Sequence, residues 1–363
     1  MRTNSVLVLN AGSSTLKFAI YAGDELVGNG IENVDEGYQK AVEAMLAKAE
    51  LHDAALVAHR VVHGGINFVE PTIVTPTVIE ELERIIGLAP LHQRPAVEVM
   101  KTITTMLPKP VQVACFDTAF HATLPVTEKR LAIPRRFYEQ GIRRYGFHGL
   151  SYQFIANQLA KISERAATGK TIVCHLGSGS SLCGFVNRQS RYTTMGLTPL
   201  DGLMMGTRSG RTDPGLVFYL LHQGQSVCDV EHLLNKESGL IGVSQISSDM
   251  RTLLASNSPN AAEAVDMYCR SVAKEIGSAM VALQGVDAIV FTAGIGENCP
   301  IVRQKIIDDL GFLDIAVDSQ ANLENRVQLH IANSRAEVFC IPTNEQKVIR
   351  ELVEPFLDRI PQV

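Results

Sequence analysis

The stretch VLVLNAGSSTLKFAIY, residues 6–21, decides the fold. Val6 to Leu9 is an aliphatic, Val-rich run and reads as a buried strand. Gly12 punctuates it. Leu16, Phe18 and Ile20 then alternate with Lys17 and Ala19, the period-2 pattern of a second strand. The polar break between the runs leaves two readings open. It is either a plain hairpin turn or a tight loop of small residues whose N–H groups and hydroxyls face an anion. TIVCHLGSGSSLCGFV, residues 171–186, repeats the design: apolar strand, Gly/Ser turn, apolar strand. Aligning Gly12-Ser13-Ser14 with Gly179-Ser180-Ser181 gives an offset of 167 residues, close to half of the 363-residue chain. A duplicated domain would set two such hairpins face to face across a cleft, with a phosphate between them. Chance similarity of two Gly/Ser turns is the alternative.

Chain length fits about two domains, each able to bury its own core. The sequence is 46% hydrophobic and 20% charged, with a formal net charge of -5. That balance argues against a nucleic-acid-binding protein, which needs a basic footprint. One basic cluster exists, Arg130, Arg135, Arg136, Arg143 and Arg144, and a solvated face is its simplest meaning. The seven cysteines are scattered without a C-x-x-C pair, the pattern of reduced thiols rather than of a disulfide framework or zinc site. Asn10 interrupts the first apolar run too early for a signal peptide. No stretch approaches the ~18 apolar residues of a membrane helix. The expectation is a soluble cytoplasmic protein that binds neither nucleic acid nor membrane.

Strand-like and helix-like patterns alternate along the chain, which places it in the α/β class. Helices are expected at Tyr38–Ala49, Thr77–Ile86, Ala96–Met106, Ser151–Ser163 and Ala262–Leu283. Buried strands are expected at Leu56–Ala58, Val111–Phe116, Thr171–Leu176, Ala288–Thr292 and Val338–Ile341. A domain boundary is expected near residue 150, after the Gly146–Gly149 turn.

Polar residues gather where these strands end: AHRVVHGG (58–65), APLHQRP (89–95), ACFDTAFH (114–121), RYGFHGLS (144–151) and the loop TPLDGLMMGTRSGRTDPG (198–215). Singly, each has a structural reading, since a lone histidine is often a hydrogen-bonding spacer and a strand-end aspartate a helix cap. Together they sit where α/β folds bind ligands. AIVFTAGIGENCP (288–300) is a strand, a glycine turn and a helix start. Its Gly294-Ile295-Gly296 lacks the third glycine of a dinucleotide fingerprint but suits close backbone approach to a nucleotide. In PTNEQKVIREL (342–352), Glu345 is either a first-turn partner of the helix dipole or a carboxylate in a metal's shell.

NAGSSTLKF, HRVVHGG, FDTAFH, YGFHG, MGLTPLDGLMMGTRSG, FTAGIGEN and PTNE, in this order, resemble the motifs of the acetokinase family, within the sugar kinase/Hsp70/actin superfamily. The resemblance runs from residue 6 to about 350. It implies duplicated actin-like (ribonuclease H-like) α/β domains with an interdomain cleft. Residues 1–150 would form the carboxylate and phosphoryl-transfer side, with the segment from about 350 to 363 packing back on it. Residues 151–349 would form the nucleotide side. The implied activity is that of an acetate kinase, a reversible, Mg²⁺-dependent phosphoryl transfer between ATP and acetate, with Mn²⁺ as a substitute metal. The substrates would be acetate, acetyl phosphate, ATP and ADP, and the assembly a homodimer.

By the same resemblance, Asn10 and Glu345 hold Mg²⁺ through its shell. Ser13, Ser14, Thr15 and Lys17 line the first phosphate turn, and Gly177 and Gly179 belong to the second, with His175 beside it. Arg60 and Arg208 hold the carboxylate and the transferring phosphoryl group. Asp117 and His148 form the catalytic pair, supported by His92. Asp249, Arg251, Gly294 and Gly296 form the adenosine site, and Val62, Leu91, Phe147 and Pro199 wall the acyl methyl. The chain departs from the family pattern at Ser178, usually asparagine, at Gln93-Arg94 of PLHQRP, at Tyr152, where histidine is common, and in a shortened segment between Tyr21 and His59.

The chemistry suits these residue types. A carboxylate nucleophile is already ionised at pH 7, because carboxyl pKa values lie near ~4. No general base is needed, so the site must instead bring two anions together and neutralise an in-line transition state. Arg60, Arg208, His148 and Mg²⁺ supply that charge, and Asp117 is left to orient an arginine or the metal shell. A propionate or butyrate kinase fits the same scaffold. An actin- or Hsp70-like ATPase is the alternative from another class, and it would have no use for the three cationic side chains.

Overall fold

The computed structural model describes residues 5–12, 14–49 and 54–358. The opening stretch forms β1 (Ser5–Ala11) and β2 (Thr15–Ala22), an antiparallel pair that continues into β3 (Glu25–Asn33). Val6, Leu7, Val8 and Leu9 are all essentially inaccessible, as expected of a strand covered on both faces. β1 also pairs in parallel with β4 (Leu56–Val61), which pairs in parallel with β6 (Val111–Phe116). A two-residue edge strand, β5 (Thr72–Ile73), completes the order β3-β2-β1-β4-β6-β5. Helices Tyr38–Ala49 and Pro90–Met106 contribute Val42, Met45, Val99 and Ile103 to a core with Leu7, Leu9, Leu16, Phe18 and Val57.

The second sheet repeats the plan. β7 (Lys170–Leu176) and β8 (Ser180–Val186) form an antiparallel hairpin, followed by β9 (Gln189–Thr193). β10 (Ala288–Thr292) pairs in parallel with β7 and with β11 (Glu337–Cys340), giving the order β11-β10-β7-β8-β9. In each sheet, an antiparallel three-strand meander is extended by two parallel strands from its first strand. The repeat suggested by the two Gly/Ser turns is therefore a repeat of topology. Its offset differs from the motif alignment. The last paired residues of the two first strands, Ala11 and Leu176, are 165 positions apart rather than 167, so the residue that follows the first strand, Gly12, corresponds in the fold to Gly177 rather than to Gly179. Helix Pro259–Leu283 covers this sheet with Tyr268, Val272, Ile276 and Leu283 against Ile172, Leu182 and Phe291. Each such side chain contributes roughly 1.5–3 kcal/mol on burial.

The chain divides into two compact units. One comprises Met1–Ala122, Phe147–Phe154 and Asn344–Val363, and the other Thr123–Gly146 and Ile155–Thr343. The division differs from a single cut near residue 150. Arg144 donates to the carbonyls of Thr193, Thr194 and Met195, so the segment before Gly146 groups with β9. The C-terminal helix Glu345–Leu357 belongs to the first unit, where Arg350 Nε donates to Gly23 O at 2.8 Å. One helix also starts earlier than its sequence suggests. Pro95 marked an expected boundary, yet the helix begins at Pro90 and carries Pro95 inside, which places His92 on its first turn.

Candidate active site

In the first unit, four polar residues reach one point from four separate elements. Asn10 comes from the end of β1, Arg60 from the end of β4, Asp117 from just beyond β6, and Glu345 from the first turn of the C-terminal helix. The parallel register sets Arg60 beside Cys115, and Asp117 N–H donates to Val61 O at 2.9 Å, so two neighbouring strand ends present the pair together. Arg60 Nη2 donates to Asp117 Oδ2 at 2.6 Å and Nε to Oδ1 at 3.4 Å. Its Nη1 reaches Asn10 Oδ1 at 3.4 Å, and its Nε lies 3.4 Å from Glu345 Oε2. The Asp117 side chain is 1% exposed and that of Arg60 18%. Burial works against the guanidinium's charge, but the carboxylates of Asp117 and Glu345 outweigh it, and the Arg60 pKa is raised. Beneath the pair, buried His59 Nε2 meets Gln112 Oε1 at 2.8 Å, and burial pushes that imidazole down to about 4.

His148 adopts φ of +57°. The left-handed region costs a non-glycine residue roughly 1–2 kcal/mol, and such strain clusters at functional sites. The next residue shows what holds it. Gly149 N–H donates to Asp117 O at 2.9 Å, and a Cβ on Gly149 would lie 2.0 Å from that oxygen. Only glycine lets this turn close on Asp117. Phe147 is buried, edge-on to His63 with ring centroids 5.5 Å apart, and His121 Nε2–H donates to its carbonyl at 3.0 Å. Val62 is half-buried just beyond β4. The side chain of Leu91 and the whole of Ser13 lie outside the described residues.

The first Gly/Ser turn is closed by Gly12 N–H donating to Thr15 O at 2.8 Å, and Tyr38 Oη donates to Gly12 O at 2.7 Å. Ser14 is exposed, and Lys17 is exposed opposite Asn10 in the β1–β2 register. Asn10, Asp117 and Glu345 present hard oxygen donors in one place. That set fits Mg²⁺, which takes one or two carboxylates and fills its octahedron with water and substrate phosphate.

In the second unit, three loops meet at the end of β7. His175 is buried, one residue before the strand ends. A Cβ built on Gly177 would stand 3.6 Å from Ala293 Cβ and 4.0 Å from Gly294 N, so the Gly177–Gly179 turn abuts the Gly294–Gly296 turn. Gly206 N–H donates to Ser178 O at 3.2 Å, which brings in the loop that carries Arg208. A Cβ on Gly206 would lie 3.4 Å from Ser248 O, beside Asp249 and Arg251. Asp249 caps the short helix Met250–Leu254, accepting from Arg251 N–H at 2.8 Å, and the Arg251 side chain closes on it at 2.8 Å. Those Arg251 hydrogen bonds hold the Asp249 carboxyl down to about 2. Arg208 Nη1 donates to Pro199 O at 2.7 Å, and burial lowers its pKa. Among the described residues no carboxylate pairs with Arg208, so its charge is available to an anion.

The acetokinase family model matches residues 25–351. The chain belongs to the acetokinase family. The acetate kinase of Rhodopseudomonas palustris strain TIE-1 is 41% identical over 382 residues, covering 95% of this chain and 96% of the relative. That of Rickettsia akari strain Hartford is 39% identical over 381 residues, covering 97% and 99%. Among solved structures, a propionate kinase from Francisella tularensis superposes with a TM-score of 0.90 at 34% identity, over 96% of this chain and 98% of its own. The acetate kinase of Entamoeba histolytica does so at 0.87 and 34%, with the same coverage. The expected α/β class with duplicated actin-like domains stands. Two residues at the Gly294–Gly296 turn, Glu297 and Arg303, are not among those singled out from the sequence. Arg303 carried one available signal. In helix Pro300–Asp308 it falls on the buried face with Val302, Ile306 and Ile307.

Proposed function

We propose that this acetokinase transfers the γ-phosphoryl group of ATP directly to acetate, giving acetyl phosphate and ADP, and runs the reaction in reverse. The observation that carries the reading is the Arg60 guanidinium at the end of β4, held between the Asp117 carboxylate just beyond β6 and Glu345 on the first turn of the C-terminal helix. Water attack on ATP gives such a cation no acid to hold, whereas a carboxylate acceptor does. Full-length relatives named acetate kinase at about 40% identity support the same acceptor.

An acetate oxygen forms the new P–O bond while the bond from the γ-phosphorus to the β–γ bridging oxygen breaks and its electron pair leaves on ADP. No proton moves in the attack, because acetate is ionised. Arg60 orients the acetate and, with Arg208, neutralises the equatorial oxygens. His148 donates to the same group from its strained turn. Asp117 holds Arg60 in place. Ser13, Ser14, Thr15 and Lys17 take one phosphate turn, and His175, Gly177 and Gly179 the other. Asp249, Arg251, Gly294 and Gly296 take the adenosine, Val62, Leu91, Phe147 and Pro199 take the methyl group, and His92 supports that wall. Asn10 and Glu345 would hold Mg²⁺, or Mn²⁺ in its place, and the metal would supply positive charge to the phosphates.

On this reading the unit made of Met1–Ala122, Phe147–Phe154 and Asn344–Val363 carries the carboxylate side, and the unit made of Thr123–Gly146 and Ile155–Thr343 the nucleotide side, in place of a single cut between 1–150 and 151–349. The enzyme works in the cytoplasm, which accords with seven free cysteines. It works as a homodimer. Support comes from helix Pro214–His222, where Leu216, Phe218 and Tyr219 are 38%, 62% and 60% exposed and no residue is buried. A second reading, propionate as acceptor, draws on the Francisella propionate kinase likeness. Trapping with hydroxylamine tests both. ATP, Mg²⁺ and acetate should give acetohydroxamate faster than propionate gives its hydroxamate. ADP release without hydroxamate from either acid would overturn the assignment.

A further inference from the structure

The short helix Ala293–Asn298 carries Gly294 and Gly296 and starts in a conformation that its first residue disfavours, with Ala293 at φ of +65°. Two side chains pin this turn from opposite ends. At the amide end, Glu297 Oε1 accepts from Ala293 N–H at 2.7 Å and from Thr343 N–H at 3.0 Å. At the carbonyl end stands Arg303, wholly inaccessible to solvent. Its Nη1 donates to Gly296 O at 2.7 Å and Glu297 O at 2.9 Å. Nε and Nη2 donate to Asn322 Oδ1 and O at 2.7 and 2.6 Å, and Nη2 also to Asn325 Oδ1 at 2.6 Å.

All five N–H donors of Arg303 are therefore spent, and every acceptor is a neutral oxygen. Burying a cation without a carboxylate partner is unfavourable, and an apolar side chain would fill the space at lower cost. What the guanidinium does there is fix two consecutive carbonyls of one turn. With both ends held, the Gly294 face stays open: a Cβ built there meets nothing within 4 Å. Glu297 has a second reach, since Thr343 lies two residues before Glu345.

We propose that Glu297 and Arg303 are positioning residues that lock the Ala293–Glu297 turn in its nucleotide-ready form, and that Glu297 also fixes the backbone leading to Glu345. The inference rests on the reading of Gly294 and Gly296 as a nucleotide turn. Without the lock the competent turn becomes a minor population, and apparent affinity falls by its occupancy. Arg303→Met, close in volume and uncharged, should raise the Kd for ADP about 10-fold, as should Glu297→Ala, if the competent fraction falls to about a tenth. Glu297→Ala should also raise the Mg²⁺ concentration needed for half-maximal velocity, which Arg303→Met should not. Glu297→Gln keeps an amide oxygen that can accept both N–H groups and should restore most of the affinity.

The test is calorimetric titration of folded protein with ADP and Mg²⁺, alongside steady-state kinetics with ATP and acetate. Gly294→Leu serves as the control, because its side chain enters open space and should block the nucleotide without disturbing the fold. If Gly294→Leu binds ADP normally, the nucleotide reading itself fails. If Gly294→Leu weakens ADP while Arg303→Met and Glu297→Ala bind it like wild type and lose only melting temperature, the positioning roles are overturned. Should Arg303→Met fail to fold, Arg303→Lys, which keeps the charge but not the five-donor fork, gives the same reading: a raised ADP Kd supports the lock and an unchanged one refutes it.

Discussion

Arg60 and Asp117 stand at the ends of two adjacent parallel strands and share a 2.6 Å contact between Nη2 and Oδ2. Strand pairing sets the backbone, and the nearly inaccessible carboxylate then fixes the guanidinium. If Asp117 orients Arg60 rather than removing a proton, Asp117→Asn should lower kcat about 10²-fold, the scale of a misplaced reacting group. Steady-state kinetics with acetate and ATP check this, and unchanged values would detach Asp117 from the site.

Arg208 is assigned to the transferring phosphoryl group. Arg208→Ala should lower kcat by roughly 10³-fold, the scale of an arginine clamp, while ATP still binds. Nucleotide titration and turnover measured on one preparation separate the two effects. An unchanged kcat would refute the role.

Acceptor length tests the methyl pocket. One methylene shifts discrimination by about 1–3 kcal/mol, so propionate should be a poorer but detectable substrate and butyrate nearly inert. Val62→Ala should raise kcat/KM for propionate relative to acetate. Comparing the three acids in both proteins decides it, and a wild type that prefers butyrate would place the pocket elsewhere.

Acid should weaken the fold before its carboxylates titrate. His59 and His121 are buried, and burial pushes both down to about 4 from 6.5. Between those values the unfolded chain binds protons that the folded one refuses, so stability present at pH 7 is lost as pH falls. Each site is worth on the order of 3 kcal/mol over that window. The thermal midpoint should drop between pH 7 and pH 5, and less so in His59→Gln. Equal drops in both proteins would remove His59 from the account.

Much of this was legible in the chain because local signals and tertiary structure agreed. Val111–Phe116 and Ala288–Thr292 are strands with the bounds their apolar runs suggest, and Tyr38–Ala49 is the expected helix. The motif residues Asn10, Arg60, Asp117 and Glu345 do converge, although they are scattered over more than three hundred positions. Other features depend on packing that periodicity does not encode. Pro95 sits within a helix it was expected to precede, and the segment before Gly146 joins β9 through Arg144 carbonyl contacts. Arg303 shares the apolar face of its helix with Val302, Ile306 and Ile307, but the five neutral oxygens that receive it come from segments that helix periodicity does not reveal. Gly149 reads as one glycine of a turn until a Cβ is placed against Asp117 O.

The central claim is that acetate attacks the γ-phosphorus directly, with no phosphorylated enzyme. The stereochemical course of transfer from ATP made chiral at the γ-phosphorus to acetate measures this most directly. A single in-line displacement predicts inversion at phosphorus. Net retention would require a covalent intermediate and would contradict the orienting role of Asp117 and the donor role of His148.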